Sequence, residues 1–265
     1  MAMIDPLIDA PDDRVLSVVR SSAFVVDLGA SRALDAENDD RRRFVPSIVD
    51  RSSLALPHTT QEPGYWVRFG KRPVDCLLAL LLTVGLSPLL LVIALIIKMT
   101  SPGSVFFRQV RVGKDGVSFR IWKFRTMVDN AELLLKNDAA LGAKHNGNWK
   151  IHNDPRVTRI GKFLRKTSLD ELPQLFNVIK GEMSLIGPRP VQPNELVQQY
   201  GALAPVITSV RPGMTGLWQI SGRSLLAYHE RVQLDIQYVV RLSFVEDSKI
   251  FVMTIPSILR GHGAV

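Results

Sequence analysis

The sequence predicts an α+β, mainly helical fold built around a helix-break-helix membrane segment, with amphipathic surface helices and a small β-hairpin. Three observations carry this. Cys76 to Ile97 is a run of 22 residues without a charge, CLLALLLTVGLSPLLLVIALII. Two short extended stretches flank Lys114-Asp115-Gly116. Apolar residues then recur at helical spacing through a basic C-terminal part, as Val157, Ile160 and Leu164 and again as Leu172, Leu175, Phe176 and Ile179.

Residues 1–64 read as a largely disordered leader. They hold eleven acidic and seven basic residues and no lysine. Their apolar residues follow no sustained period, with a short strand or helix expected only around 15–28. No apolar run follows a basic start, so a secretory signal peptide is not expected. The formal charge of the whole chain is +8, so residues 65–265, the predicted folded domain, carry +12. Such an excess suits phosphate-rich partners: nucleic acid, anionic lipid or a nucleotide ligand. Nucleic acid rests on charge alone and sits poorly with the apolar run, so it is not an expected partner. The single cysteine, Cys76, excludes a disulfide framework and a cysteine-rich zinc site.

The membrane segment, about 72–99, would reach roughly 33 Å as a straight helix, about the thickness of a bilayer core. Ser87-Pro88 interrupts it near the middle. A proline there removes a backbone hydrogen bond and kinks the helix. The carbonyl it frees needs a donor in lipid, and the Ser87 hydroxyl is a candidate. Arg68, Lys71 and Arg72 precede the segment, and Lys98, Arg108, Arg111 and Lys114 follow it. A spanning helix usually has its basic excess on the cytoplasmic side only. Basic residues at both ends suit a segment that bends and returns to its own side; hydropathy alone leaves a kinked spanning helix open.

The stretches 105–112 and 117–124 predict a hairpin, because Asp-Gly is a favoured turn. Helical periodicity follows at 131–141, then a polar loop over 142–154. The helices through Arg156, Arg159, Lys162, Arg165 and Lys166 are basic and amphipathic, fit for a membrane surface or for packing on a core. Two last helices are expected at 224–242 and 247–259.

Chemistry concentrates in three places. In KTSLDELP (166–173), Ser168 and Glu171 have capping-box spacing and Asp170 could itself cap a helix. The same two carboxylates could instead serve phosphorus chemistry, one as nucleophile and one as ligand to a hard divalent cation. In Gly187-Pro188-Arg189-Pro190 the prolines stiffen the chain around an arginine suited to bidentate phosphate binding; a rigid turn with a solvated arginine is the plain alternative. RPGMTGLWQISGR (211–223) is a glycine-rich turn region that could approach a ligand closely. No dinucleotide or P-loop fingerprint is present.

Together these stretches resemble the bacterial sugar transferases, also called monotopic phosphoglycosyl transferases. The resemblance runs from Lys71-Arg72-Pro73-Val74-Asp75 through Ser87-Pro88 and WKFRTM (122–127). It continues through DPRVTRIGKFLRKTSLDELPQLFNVIKGEMSLIGPRP (154–190), RPGMTGLWQISGR and the region 228–238. It is strongest to the short exopolysaccharide-initiating members; larger relatives carry spanning helices and a further domain where this chain has a polar leader. The resemblance implies a monotopic protein of the bacterial inner membrane, with a re-entrant helix broken at Ser87-Pro88 and a cytoplasmic catalytic part over 100–265. It implies transfer of a sugar 1-phosphate, galactose or glucose, from a UDP-sugar to undecaprenyl phosphate with release of UMP, the initiating step of a surface glycan. It implies Asp170 as nucleophile and Glu171 as the Mg²⁺ ligand. Phosphoryl transfer needs positioned phosphates and neutralised charge, so Lys123, Arg125, Arg165 and Arg189, and after them Arg211 and Arg223, are expected to face phosphates. Arg165 is expected near the start of the helix that bears Asp170. A homodimer and downstream glycosyltransferases are candidate partners. The competing expectation is a non-catalytic membrane scaffold of a polysaccharide assembly complex.

Overall fold

A π-helical turn, Trp66–Gly70, runs into helix α1 (Lys71–Gly85), and α2 (Ser87–Thr100) follows after the single residue Leu86. In this computed structural model, which describes residues 65–137 and 154–260, the two helices are bent by 61° at that point. The leader 1–64 and almost all of the expected polar loop lie outside the described residues. Pro88 falls in the first turn of α2, where its missing N–H breaks no helical bond. The carbonyl four residues before it, that of Val84, accepts from the Ser87 hydroxyl at 2.7 Å. Among the described residues no single helix is long and apolar enough to cross a membrane; this bent pair passes by length and composition. Leu77, Leu81, Val84, Leu91, Val92 and Leu95 are each at least half exposed. Each such side chain forgoes about 1.5–3 kcal/mol of burial in water, and a patch of this size marks a non-aqueous or partner-covered surface.

The hairpin forms where expected. Strands β1 (Phe106–Val112) and β2 (Ser118–Phe124) pair antiparallel in register from Phe106 opposite Phe124 to Val112 opposite Ser118. Asp115 and Gly116 take positive φ at the turn, 57° and 75°, and aspartate is among the few side chains that tolerate this. Alternation places Gln109 and Arg111 on the same face as Lys123. After α3 (Ala131–Asn137) the described chain resumes at Asp154 and enters α4 (Arg159–Thr167), capped by Thr158, whose hydroxyl accepts from the Gly161 amide at 3.0 Å. A Cβ at Gly161 would collide with the Thr126 backbone, so this glycine lets α4 lie directly on the chain leaving β2.

Helix α5 (Gln174–Lys180) joins the hairpin through fully buried Asn177. Its side chain accepts from the Trp122 amide at 3.0 Å and donates to the Arg120 carbonyl at 2.8 Å and to Glu182 at 2.6 Å. It thus occupies the edge of β2 much as another strand would.

A second sheet was not legible in the sequence. Strand β3 (Ser184–Ile186) pairs in parallel with β4 (Gly213–Thr215), with the short helices α6 (Pro193–Glu195) and α7 (Ala204–Ile207) between them. The two strands are three residues each, too short to show a period. They cross where a Cβ on Gly187 would lie 2.6 Å from the Arg211 carbonyl and one on Gly213 or Gly216 would fall on the Gly187 backbone. The glycine-rich stretch is therefore a strand that needs close approach.

After α8 (Leu217–Ser221), α9 (Tyr228–Arg241) starts later than expected, because Gly222 and Arg223 take positive φ and Arg223–Leu225 forms a 3₁₀ turn. Helix α10 (Phe244–Arg260) starts earlier, capped by the Ser243 hydroxyl on the Glu246 amide at 3.2 Å. Small hydrophobic clusters fill the spaces between elements. Ala79 of α1 packs with Ile121, Leu175, Met183 and Ile250, and Ile93 and Ile97 of α2 pack with Phe124 and Leu164.

Asn177→Ala should strip the Trp122 amide and Arg120 carbonyl of their buried partner. The expected loss is on the order of 3 kcal/mol, read as a lower midpoint of denaturant unfolding in detergent; an unchanged midpoint would show the edge pairing to be dispensable.

Candidate active site

Asp170 and Glu171 sit on a 3₁₀ turn, Leu169–Glu171, between α4 and α5. The turn exists because Ser168 ends α4 in the left-handed conformation, φ 57°, and Pro173 stands ahead of α5. The capping readings do not hold: Ser168 makes no side-chain cap, and α5 begins three residues after Glu171 with no side-chain cap either. The dyad is thus left to other work.

The two carboxylates differ. Asp170 is 9% exposed. Burial, with the Glu171 charge beside it, pushes its carboxyl up to about 6 against the pull of Lys123 and Arg165. Burial also pushes Glu171 upward, but Lys123, Arg189 and Arg223 outweigh it and hold this carboxyl below its ordinary value. Glu171 Oε1 accepts from Lys123 Nζ at 2.6 Å, and the Glu171 side chain keeps 40% exposure. One carboxylate is dry and easily protonated; its neighbour is ionised and open to solvent.

The expected cations divide. Lys123 touches Glu171 from β2. Arg165 lies on the last turn of α4, not on the helix after Asp170; its Nε donates to Thr126 Oγ1 at 2.9 Å, and its charge acts on Asp170. Arg189 and Arg223 act on Glu171. Arg125 and Arg211 are engaged elsewhere. Arg125 is buried and donates to the carbonyls of Ser101 and Pro102, closing the chain after α2. Arg211 Nε donates to the Gly181 carbonyl at 2.8 Å, at the far end of α5, where Arg72 takes the Val178 and Ile179 carbonyls. Both donate to backbone carbonyls that end helices or turns.

Arg189 is not a solvated turn residue. Its amide donates to Asp235 at 3.3 Å, its guanidinium lies 5.1 Å from the Trp218 ring, and its Nε stands 3.7 Å from Glu195. Asp235 is pushed up to about 7 by burial, against the Tyr200 hydrogen bond and Arg189. Sequence reasoning missed this support, which comprises Arg111, Glu195, Tyr200, Tyr228 and Asp235. Its one visible signal was Asp235, an acidic residue between Leu234 and Ile236 in a helical segment.

Among the described residues no group of three or more His, Cys, Asp or Glu side chains could hold a metal. Mg²⁺ does not require such a group. The ion typically takes only one or two carboxylates and fills its shell with water and substrate phosphate. An exposed, ionised Glu171 beside the buried Asp170 offers that, with no resident cage.

A glycan-assembly transferase is the class that such a dyad, cation ring and apolar bent helix pair define. The bacterial sugar transferase family matches residues 66–261, and the chain belongs to it. It is 43% identical over 221 residues to the exopolysaccharide production protein ExoY of Sinorhizobium fredii, covering 81% of this chain and 97% of that protein. It is also 43% identical over 202 residues to the undecaprenyl-phosphate galactose phosphotransferase of Salmonella typhimurium, covering 74% of this chain and 42% of the relative. Against the UDP-glucose:undecaprenyl-phosphate glucose-1-phosphate transferase of Escherichia coli it is 42% identical over 195 residues, 71% of this chain and 40% of the relative. The protein is an enzyme of this family.

Because the Asp170 value in the folded protein lies above the ordinary one, its contribution favours folding most when it is protonated, below about pH 4, and is lost as pH rises through about 6. Asp170→Asn should therefore raise stability at pH 7.5 in chelator, on the order of 1–3 kcal/mol, and the gap should close towards pH 4. A variant less stable than wild type at pH 7.5 would contradict this account.

Proposed function

We propose that this enzyme transfers a hexose 1-phosphate from a UDP-sugar to undecaprenyl phosphate through a covalent intermediate on Asp170. The observation that carries the reading is the unequal pair on one turn, buried Asp170 beside ionised Glu171, set among Lys123, Arg165, Arg189 and Arg223. A structural cap would need neither the burial nor the cations. In the first step an Asp170 carboxylate oxygen bonds to the sugar-bearing phosphorus. The bond from that phosphorus to the bridging oxygen breaks, and UMP leaves with the electron pair. In the second step a lipid phosphate oxygen attacks the same phosphorus and Asp170 is released. The cations hold the phosphates in line and offset the charge of the leaving group. Glu171 would be the side chain to hold Mg²⁺, and the ion would supply further charge neutralisation there. The names of the relatives support a hexose, galactose in one and glucose in another.

The bent pair is read as re-entrant, with both ends on the cytoplasmic side. Its limbs are roughly 22 and 21 Å long. A V bent by 61°, with both ends in one plane, reaches roughly 11 Å deep, within the about 15 Å of one leaflet. Basic residues at both ends favour that placement, and it brings the dyad to the surface where a soluble nucleotide sugar meets a lipid phosphate.

Two measurements test this. With Mg²⁺ and undecaprenyl phosphate, wild type should release UMP from UDP-galactose or UDP-glucose and form a phosphosugar adduct. Asp170→Asn should do neither, with turnover down at least about 10³-fold; an adduct on the Asn variant would remove Asp170 from the role. Cysteines at Phe69 and Met99, both exposed, in a Cys76→Ser background should be labelled from the same side of sealed vesicles. Labelling from opposite sides would make the segment a spanning helix.

A further inference from the structure

Glu195 is 4% exposed. Its formal local task is modest: in α6 it completes a capping box by accepting from the Gln192 amide at 3.1 Å. Caps of this kind work at the surface, whereas burying a carboxylate costs several kcal/mol unless it is fully paired. The pairing here reaches three other parts of the chain. Arg111 of β1 stands 3.5 Å from Oε2, Arg189 of the strap after β3 stands 3.7 Å from Oε1, and the Tyr228 hydroxyl of α9 donates to Oε1 at 2.6 Å. Arg111 and Arg189 repel one another, and both are within electrostatic reach of acidic side chains of the site: Arg111 feels Glu171, and Glu171 feels Arg189. Arg111 is also tied to Gln109 at 2.7 Å, on the hairpin face that carries Lys123. The Nε atoms of both arginines are buried without a hydrogen-bond partner, so neither guanidinium is satisfied by the protein alone.

We propose that Glu195 is a positioning residue: its carboxylate holds Arg111 and Arg189 side by side next to Glu171, so that the two guanidinium groups together receive the diphosphate of the donor. The proposal rests on the reading of the dyad as a site for a diphosphate and adds Arg111 to the groups that meet it. The Glu195 carboxylate is within 3.7 Å of both guanidinium groups, and its own position is fixed by the Gln192 amide and the Tyr228 hydroxyl. Without it the guanidinium groups of buried Arg111 and partly buried Arg189 lose the charge that offsets their repulsion, and they move apart. Tyr228 fixes which way the carboxylate faces, so it belongs to the same device.

The test uses the full chain in detergent with Mg²⁺. Binding of inorganic diphosphate is measured by calorimetry, UMP release by steady-state kinetics and the unfolding midpoint in parallel, for wild type, Glu195→Gln, Glu195→Asp and Tyr228→Phe. Glu195→Gln keeps the size and the acceptor for the Gln192 amide but removes the charge. It is expected to weaken diphosphate binding and raise KM for the UDP-sugar by about tenfold, with kcat changed less than KM. Glu195→Asp should recover part of the loss, and Tyr228→Phe, which leaves every charge in place, should raise KM by roughly two- to fivefold. If Glu195→Gln does not fold, the Tyr228→Phe result decides. A lower unfolding midpoint with unchanged diphosphate binding and KM would make Glu195 a fold residue only and overturn the proposal. If wild type binds diphosphate and Glu195→Gln weakens it, yet no UDP-sugar yields UMP, Glu195 keeps its role and the proposed reaction fails.

Discussion

A buried chain of charges at the foot of α1 sets the position of nearly everything else. Lys71 Nζ lies 2.8 Å from Asp247 of α10 and 3.9 Å from Asp75, and Asp247 also accepts from Trp66 Nε1 and from the Tyr238 hydroxyl, each at 2.8 Å. Asp75 in turn accepts from the Ser184 hydroxyl at 2.6 Å and from the Leu185 amide. The apolar helix pair turns many of its leucines outward and packs on the body through a few residues such as Ala79, Ile93 and Ile97, so polar contacts add specificity to its attachment. Breaking one member leaves a buried charge unpaired, which costs about 3–5 kcal/mol. The same contacts pin β3, and β3 leads straight into the strap that carries Arg189. The orientation of the apolar segment and the position of Arg189 thus share one anchor.

Around the dyad, stability and chemistry pull in opposite directions. Asp170 is buried and has no direct ion-pair partner among the described residues, while Glu171 pairs with Lys123. A carboxylate arranged for folding would be paired or exposed. One held dry among cations that are not bonded to it is poised for a ligand that brings its own negative charge. Arg111, Arg165 and Arg223 show the complementary tension, since burial lowers the pKa of each.

The sequence showed some of this plainly. The uncharged run, the Ser87-Pro88 break, the Asp-Gly hairpin turn and the stripes of α4 and α5 all leave periodic or stereochemical marks within a few residues. Asp170 and Glu171 stood out as chemistry only through the family resemblance, because their spacing alone spells a cap. The strap crossing, the Asn177 edge contact and the contacts of Glu195 with Arg111 and Tyr228 join residues 25 to 84 positions apart, and pairings at that separation leave no local pattern. The same reason explains Arg125 and Arg211: an arginine in a basic motif looks alike whether it awaits a phosphate or a backbone carbonyl. The leader and the polar loop lie outside the described residues.

The crossing of β3 and β4 separates what can vary in this protein from what cannot. Gly187 and Gly213 meet backbone to backbone, held by the Gly187 amide on the Thr215 carbonyl at 2.9 Å and the Gly213 amide on the Pro188 carbonyl at 2.8 Å. Those bonds belong to the main chain, so no exchange of side chains can retune them, and no side chain larger than hydrogen can enter. The base from which Arg189 projects is therefore closed to gradual adjustment. Any change in how Arg189 is presented has to come through neighbouring side chains and their supports, not through this crossing.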